Sequence, residues 1–252
     1  PWIKKRVGLS RQLSRIAGKI VAVSDDIADV AVNIERVPES KVVVIKNGVE
    51  ERRSSSREDC REKCGGPADG IVIGTVGRLS HDKNYPLLVR AFSEYLSQRS
   101  QRTQSNNLKL LLVGDGPDRK DLEKLVDELR IRESVVFAGM QDNVSDWLGC
   151  MDLFCLSSIT EGTSITLLEA GAAGLPSVVT DVGGNGEIVE DAVSGLVVPS
   201  EDEDAMVGTF EKMLADDAMR QRMGEERVVD TRVPLHPRQA EGAERVGMGG
   251  DV

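Results

Sequence analysis

The chain has 252 residues, 40% of them hydrophobic and 29% charged, and a formal net charge of -10 at pH 7. This length can bury one large or two small cores, and the composition is typical of soluble globular proteins. The acidic balance argues against nucleic acid as a partner, and no apolar run reaches the ~18 residues of a membrane-spanning helix. Four cysteines in a chain this long do not make a disulfide framework, so we expect reduced thiols and a cytoplasmic location.

The beginning of the chain predicts a basic helix. Residues 1–18 are mixed in polarity, and the start has neither an initiator Met nor a signal-peptide core, which indicates a trimmed chain or a piece of a longer protein. Two interpretations of the basic residues stay open, a solvated helix face and a peripheral contact with an anionic membrane. These basic residues are Lys4, Lys5, Arg6, Arg11, Arg15 and Lys19.

The next segment predicts a helix between two short strands. The apolar run Ile20–Val23 leads to Ser24, which suits the N-cap of a helix over Asp25–Arg36. A strand over Lys41–Ile45 follows. Because these elements are too few to bury a core of their own, we interpret residues 1–46 as the remnant of another domain.

From residue 71 onward, apolar runs alternate with helical patterns. Residues 50–70, which hold Cys60 and Cys64, are polar and predict a surface loop or linker. The predicted strands are Ile71–Val76, Leu108–Val113, Val135–Ala138, Leu153–Leu156, Ser177–Thr180 and Gly195–Val198. The predicted helices are Pro86–Leu96, Pro117–Arg130, a short one with Trp147 and Leu148, one from about Ser164, and Glu201–Asp216. Strands that are apolar throughout and alternate with helices indicate a parallel sheet covered on both faces, which is an α/β, doubly wound fold.

Every distinctive motif follows a predicted strand directly. In doubly wound sheets, ligands bind beyond the carboxyl ends of the strands. The motifs are residues 77–83 (GRLSHDK), 114–117 (GDGP), 139–143, 157–161 and 181–187 (DVGGNGE). We therefore expect all five motifs to share one edge of the sheet.

The segment 157–176 predicts an anion site flanked by two acids. If its helix begins near Ser164, the free N–H groups of the first turn point out between Glu161 and Glu169, and an anion can dock there. The alternative is structural, because Thr166 and Glu169 have the spacing of a capping box and a surface Glu is usually solvated.

The loop after the first long strand adds two cations. Gly77 gives it a flexible start, and Arg78 and Lys83 can bracket a diphosphate, Arg as a fork and Lys as a point charge. Solvated loop charges are the alternative. Residues 114–117 are interpreted as a turn and His81 as an ordinary loop residue. The usual dinucleotide, P-loop and serine-hydrolase motifs do not occur in the sequence.

Taken together, the motifs resemble a known family. The segments are IKNGV (45–49), GTVGRLSHDKN (74–84), LLLVGDGP (110–117), VVFAGMQDNV (135–144), the Glu161-x7-Glu169 pair and LPSVVTDVGGNGEIV (175–189). In this order they are similar to the nucleotide-binding half of retaining glycosyltransferases with the GT-B fold, of the glycosyltransferase family 4 type. The similarity runs from about residue 20 to about residue 226, and it implies a Rossmann-like C-terminal domain of the GT-B fold.

The resemblance implies a role for each candidate residue. Arg78, Lys83 and Glu161 are the implied catalytic residues: the two cations hold the donor's pyrophosphate and stabilise the charge that grows on the leaving nucleotide, and Glu161 binds donor-sugar hydroxyls. Glu169 binds the ribose hydroxyls. The other implied contacts, to phosphate, sugar or base, come from Gly77, Thr163, Ser164, Ile165, Gly139, Met140 and Gln141. The donor is a nucleotide-diphosphate sugar such as a UDP- or GDP-sugar, and such enzymes generally need no metal or other cofactor.

The resemblance also divides the chain. Residues 1–46 are the remnant of an N-terminal acceptor domain, residues 47–226 bind the nucleotide sugar and residues 227–252 predict a disordered tail. Asn185-Gly186 replaces the Pro that the family usually has there. We expect a glycosyltransferase of polysaccharide biosynthesis that acts on a glycan, lipid-linked or small acceptor. Another nucleotide-sugar enzyme, such as an epimerase, and a catalytically inactive binding fragment are the alternatives.

Overall fold

The structure of the protein is a computed structural model, and it describes residues 12–49, 57–63, 70–100 and 108–226. The predictions for the basic residues 1–11, for Cys64 and for the tail 227–252 lie outside these ranges. No helix within them is both long enough and apolar enough to cross a membrane.

A small unit of two parallel strands opens the described chain. β1 (Ile20–Ala22) pairs with β2 (Val42–Val44). Between them α1 (Asp25–Asp29) begins at the predicted cap, because the Ser24 hydroxyl accepts a hydrogen bond of 3.2 Å from the Ile27 amide. The predicted helix continues beyond α1 as a π-helical turn over Val30–Ile34.

The larger unit is a six-stranded parallel sheet, which confirms the predicted doubly wound fold. Its strands are β3 (Ile71–Val76), β4 (Leu108–Val113), β5 (Val135–Gly139), β6 (Leu153–Leu156), β7 (Ser177–Thr180) and β8 (Gly195–Val198). They pair in the order β5-β4-β3-β6-β7-β8, and every pairing is parallel. The direction of winding therefore reverses between β3 and β6, which is where such folds bind their ligands.

Helices follow the strands and cover both faces of the sheet. They are α2 (Arg57–Lys63), α3 (Tyr85–Ser100), α4 (Arg119–Glu128), α5 (Val144–Gly149), α6 (Ile165–Ala172), α7 (Asn185–Ile188), α8 (Glu203–Ala215) and α9 (Asp217–Glu225). Successive strand side chains point to opposite faces, so Ile73 packs with Phe92 and Phe210 in one core while Val72 packs with Leu167 in the other. Both faces of the sheet are therefore buried under helices, which explains why the strands are apolar throughout.

The segment predicted as a surface loop contains a docked helix, so residues 50–70 are not simply a loop. In α2, Cys60 is fully buried and the Arg61 side chain is 5% exposed. Arg61 pairs with the carboxylate of Asp152 and donates a 2.8 Å hydrogen bond to the Gly70 carbonyl. The sequence does not predict that this helix packs against the domain, because the buried side chain is an arginine and its partner Asp152 lies 91 residues further along the chain.

Candidate active site

The loops that follow β3 and β6 meet at the point where the winding of the sheet reverses. The Ser157 hydroxyl donates a 2.9 Å hydrogen bond to the Lys83 carbonyl. The Ile159 amide donates one of 2.8 Å to the Asp82 carbonyl. Residues 77–83 and 157–161 therefore form one connected surface, as expected for motifs at a shared edge.

An ion pair joins the two loops. Lys83 Nζ contacts Oε1 of Glu161, and the Ser158 hydroxyl donates a 2.7 Å hydrogen bond to the same oxygen. The side chains of Lys83 and Glu161 are only 17% and 9% exposed, so their attraction is weakly screened by water. The sequence predicted both residues for the site but not their direct contact.

A tight turn places Lys83. It ends a single 3₁₀ turn, His81–Lys83, and Asn84 then adopts a left-handed conformation with φ of 47° before α3 begins. Asn tolerates that conformation better than most residues. Within the turn, the Ser80 hydroxyl donates a 3.3 Å hydrogen bond to the Arg78 carbonyl, and the nearby polar side chain of Ser80 is the chief cause that lowers the pKa of the Asp82 carboxyl.

The start of α6 differs from the capping-box alternative. Ser164 is the N-cap, since its hydroxyl accepts a 3.3 Å hydrogen bond from the Leu167 amide. Leu167 is the third helical residue and cannot complete a capping box, and Thr166 lies inside the helix, so it is not the N-cap that a capping box with Glu169 requires. Glu169 lies in the second turn of α6, within the described helix. The first turn exposes 53% of Ile165.

A cleft opens beyond the ends of β3, β4 and β5. Its volume is about 570 Å³, within the range of small-molecule sites. The lining residues are Val76, Gly77, Arg78, Val113, Gly114, Asp115, Gly116, Pro117, Met140, Gln141 and Val144. Four of these, at positions 77, 78, 140 and 141, were predicted. The segment 114–117 was interpreted only as a turn, although its place directly after a strand is the signal that could have assigned it to the site.

Two glycines let the backbones at the base of this cleft touch. Gly114 has a φ of 133°, and a Cβ on it would lie 1.9 Å from the Gly77 carbonyl oxygen. Its amide also donates a 2.8 Å hydrogen bond to the Gly139 carbonyl. No side chain fits at Gly114, and the three strand ends are held together at their glycines.

The predicted site residues fall into two neighbouring groups on one sheet edge. Lys83 and Glu161 meet directly, and Thr163, Ser164, Ile165 and Glu169 continue from the same loop into α6. Arg78, Met140 and Gln141 line the cleft on the other side of β3, with Gly77 and Gly139 beneath them. The exposed Arg78 guanidinium makes no hydrogen bond or salt bridge to another residue in the described ranges.

The small N-terminal unit contacts the same edge of the sheet. The Thr163 hydroxyl donates a 2.7 Å hydrogen bond to the Val23 carbonyl. Glu187, in α7, accepts a 3.1 Å hydrogen bond from the Asp26 amide and pairs at 2.9 Å with Lys46, which also pairs with Asp25. Sequence reasoning did not single out Glu187, because a lone Glu after a glycine turn looks solvated.

Comparison with known proteins identifies the family. Residues 56–227 match the model of the glycosyl transferases group 1 family, which is more than half of the chain. The chain belongs to this family. A glycosyltransferase of Methanocaldococcus jannaschii is 31% identical over 211 residues, which are 81% of this chain and 52% of that protein. The lipopolysaccharide core biosynthesis glycosyltransferase LpsE of Rhizobium meliloti is 32% identical over 66% of this chain and 46% of its own length.

Solved structures support the fold. HepE of Anabaena in complex with UDP has a TM-score of 0.81 and 20% identity over 97% of this chain and 67% of that one. WaaG, a glycosyltransferase involved in lipopolysaccharide biosynthesis, has a TM-score of 0.76 and 24% identity over 92% of this chain and 63% of that one. The sheet is thus the Rossmann-like domain of GT-B glycosyltransferases, and the chain spans about half the length of the curated relatives that it matches.

Proposed function

We propose that the full-length protein is a retaining glycosyltransferase of the family 4 type and that this chain carries its donor-binding half. The observation that carries the proposal is the contact of Lys83 with Glu161 at the reversal of the sheet, beside a cleft of nucleotide size. The spacing of Glu161 and Glu169, which resembles the acid pair of that family, supports retention of configuration.

In the proposed reaction, the bond between the anomeric carbon of the donor sugar and the diphosphate oxygen breaks. Negative charge then grows on the departing nucleoside diphosphate. A fixed ammonium group stabilises such charge more than water does, because it needs no reorganisation at the moment of reaction. Lys83 supplies this charge, Arg78 at the mouth of the cleft supplies a second, and the amides of residues 163–165 add the positive end of α6.

The neighbouring carboxylates and the cleft bind the rest of the donor. Glu161 accepts hydrogen bonds from the sugar and Glu169 from the ribose, while the base lies in the cleft along Met140 and Gln141. The Gln141 amide already donates a 2.7 Å hydrogen bond to the Ala138 carbonyl, which fixes its side chain and leaves its oxygen as an acceptor. We propose a UDP- or GDP-sugar as donor and chemistry that needs no metal.

The acceptor belongs to the remaining half of the protein. We propose that it is a glycan, a lipid-linked saccharide or a small molecule, bound by an N-terminal domain of which residues 1–46 are a part, and that the enzyme works in the cytoplasm or at its membrane. The names of the relatives support a role in polysaccharide assembly, since LpsE is a lipopolysaccharide core biosynthesis glycosyltransferase.

Calorimetry with UDP, GDP and ADP tests the donor site. We expect one nucleotide to bind, and we expect Lys83→Ala and Glu169→Ala to weaken its binding. Lys124→Ala is the matched control, because Lys124 is 76% exposed on α4 and, among the residues that the structure describes, pairs only with Glu128. Binding of none of the three nucleotides would favour the inactive fragment, and sugar release from a nucleotide sugar without transfer would favour epimerase or hydrolase chemistry.

A further inference from the structure

Ser158 is a buried residue of the site to which the sequence assigned no role. It follows β6 directly and is 0% exposed. Its hydroxyl donates a 2.7 Å hydrogen bond to Oε1 of Glu161, three residues later. A buried hydroxyl that donates to a carboxylate makes one of the stronger hydrogen bonds in a protein, because the acceptor is charged and shielded from water.

The two oxygens of the Glu161 carboxylate are used differently. Oε1 receives both the Ser158 hydroxyl and the Lys83 ammonium, whereas Oε2 has no hydrogen-bond partner among the residues that the structure describes. The carboxylate is therefore held by one oxygen and presents the other. An oxygen presented in this way is suited to accept a hydroxyl of a bound sugar.

A second layer of hydrogen bonds fixes Ser158 itself. The Thr180 hydroxyl, at the end of β7, donates a 2.7 Å hydrogen bond to the Ser158 carbonyl. The Asn185 amide of α7 in turn donates a 3.0 Å hydrogen bond to the Thr180 carbonyl. Thr180 and Asn185 are both fully buried. The backbone of Ser158 is thus tied to the neighbouring strand β7 through the short, buried side chain of Thr180.

Binding of a diphosphate changes which groups contact Glu161. The phosphate oxygens compete with Glu161 for the Lys83 ammonium, so the carboxylate keeps only one of its two present partners. Ser158 does not carry charge and has no attraction to phosphate comparable to that of Lys83. Its hydrogen bond to Glu161 therefore persists when the ion pair opens.

From this arrangement we infer that Ser158 is a positioning residue that holds Glu161 toward the donor sugar while Lys83 turns to the diphosphate. The inference rests on the proposed function. The inference assigns different residues to the two parts of the donor. The nucleotide contacts Lys83, Glu169 and the cleft. The sugar contacts Glu161, so Ser158 affects binding of the sugar only.

The test measures binding of UDP, GDP and ADP, each alone and as its glucose conjugate, to the whole chain by calorimetry. We expect Ser158→Ala to leave the Kd of the bound nucleotide within about twofold and to raise that of its glucose conjugate about tenfold, the scale of one charge-assisted hydrogen bond. Ser158→Cys keeps the volume of the side chain but donates weakly, so it should show the same split. The control is Ser177→Ala, which removes a serine that is also buried, at the start of β7, and should change neither Kd.

A double-mutant cycle tests whether Ser158 acts through Glu161. In a Glu161→Ala background, which removes the acceptor of the Ser158 hydroxyl, Ser158→Ala should change the Kd of the glucose conjugate by no more than about twofold, since the effect has already been lost. Equal weakening of nucleotide and conjugate by both Ser158 variants, or no weakening by either, would overturn the inference while the proposed function stands. A wild-type chain that binds none of the nucleotides would overturn both.

Discussion

Lys83 and Glu161 lie 78 residues apart in the chain, yet their side chains touch across the boundary between β3 and β6. The contact neutralises the cation that the proposed reaction needs. We propose that the donor draws Lys83 away and frees Glu161 for the sugar, because a nucleoside diphosphate offers that cation more negative charge than one carboxylate. The empty and the loaded site therefore differ in the partner of a single ammonium group.

Removal of Lys83 tests this arrangement in catalysis. In a protein with both halves present, Lys83→Ala should lower kcat by ~10²-fold or more, the usual effect of removing one group that stabilises developing charge. Steady-state kinetics with the nucleotide sugar provide the measurement, and Lys124→Ala serves as the control with the same change of charge. Full activity of Lys83→Ala would exclude the proposed role.

The glycine at the base of the cleft predicts a change in stability. Gly114→Ala places a Cβ against the Gly77 carbonyl and forces a residue with a side chain into a φ of 133°. We expect the free energy of unfolding to fall by at least ~2 kcal/mol. Gly208→Ala is the opposite case, because Gly208 lies within α8 with no atom within 4 Å of the added Cβ. It should raise the free energy of unfolding by ~0.5–1 kcal/mol, and urea denaturation measures both.

Loss of the buried ion pair of α2 should lower the free energy of unfolding strongly. Arg61→Ala leaves the Asp152 carboxylate, whose side chain is 13% exposed, without its guanidinium. We expect the free energy of unfolding to fall by about 3–5 kcal/mol, as is usual when one member of a buried pair is removed. Denaturant unfolding checks the prediction against Lys124→Ala, which should change it by less than about 0.5 kcal/mol. A cost for Arg61→Ala as small as that of the control would mean that α2 does not dock as described.

The pairing of Asp25 with Lys46, within the small N-terminal unit, should depend on pH. The pKa of Asp25 is lowered, chiefly by the hydrogen bond from Lys46, and the pKa of Lys46 is raised, chiefly by its hydrogen bond to Asp25. A lowered carboxyl pKa stabilises the contact above the ordinary value of ~3.9, and a raised amine pKa stabilises it below ~10.4. The contact is therefore lost as the pH falls through the folded pKa of Asp25 or rises through that of Lys46.

NMR titration measures this effect directly. In Lys46→Met, the pKa of Asp25 should return toward that of an isolated carboxyl, because the group that donates to it is gone. Lys19→Met is a suitable control, since Lys19 donates to the Ser40 carbonyl and pairs with no carboxylate in the part of the chain that the structure describes. An Asp25 pKa that is unchanged in Lys46→Met would show that the two side chains do not pair in solution.

The strands and the sheet edge that carries the site could be predicted from the sequence, because short contiguous stretches of residues determine them. Five of the six long strands have the predicted bounds, because each is an apolar run closed by Gly, Pro or polar residues. The loops after these strands reach one edge for any doubly wound sheet, so the pattern alone brings Arg78, Lys83 and Glu161 to the same side.

What the sequence could not predict depends on contacts between distant residues. The sequence of α2 is that of a polar linker, and only the structure shows that Arg61 pairs with Asp152. In the same way, Glu187 has the sequence context of a solvated residue, but it pairs with Lys46 of the small N-terminal unit. Ser158 was overlooked for the same reason, because nothing in a short run of Ser and Thr shows which hydroxyl faces Glu161. Pairing of polar groups carries no periodic signal, unlike burial of apolar ones.

The contact of Gly77 with Gly114 limits how this cleft can diversify. Where main-chain atoms of neighbouring strands are already packed against each other, a substitution cannot reshape the pocket without displacing a strand end. In the proposed donor site, we therefore expect nucleotide preference to depend on the opposite wall, at Met140, Gln141 and Val144, where side chains line the cleft and Met140 is 78% exposed. A library for altered donor choice would start there.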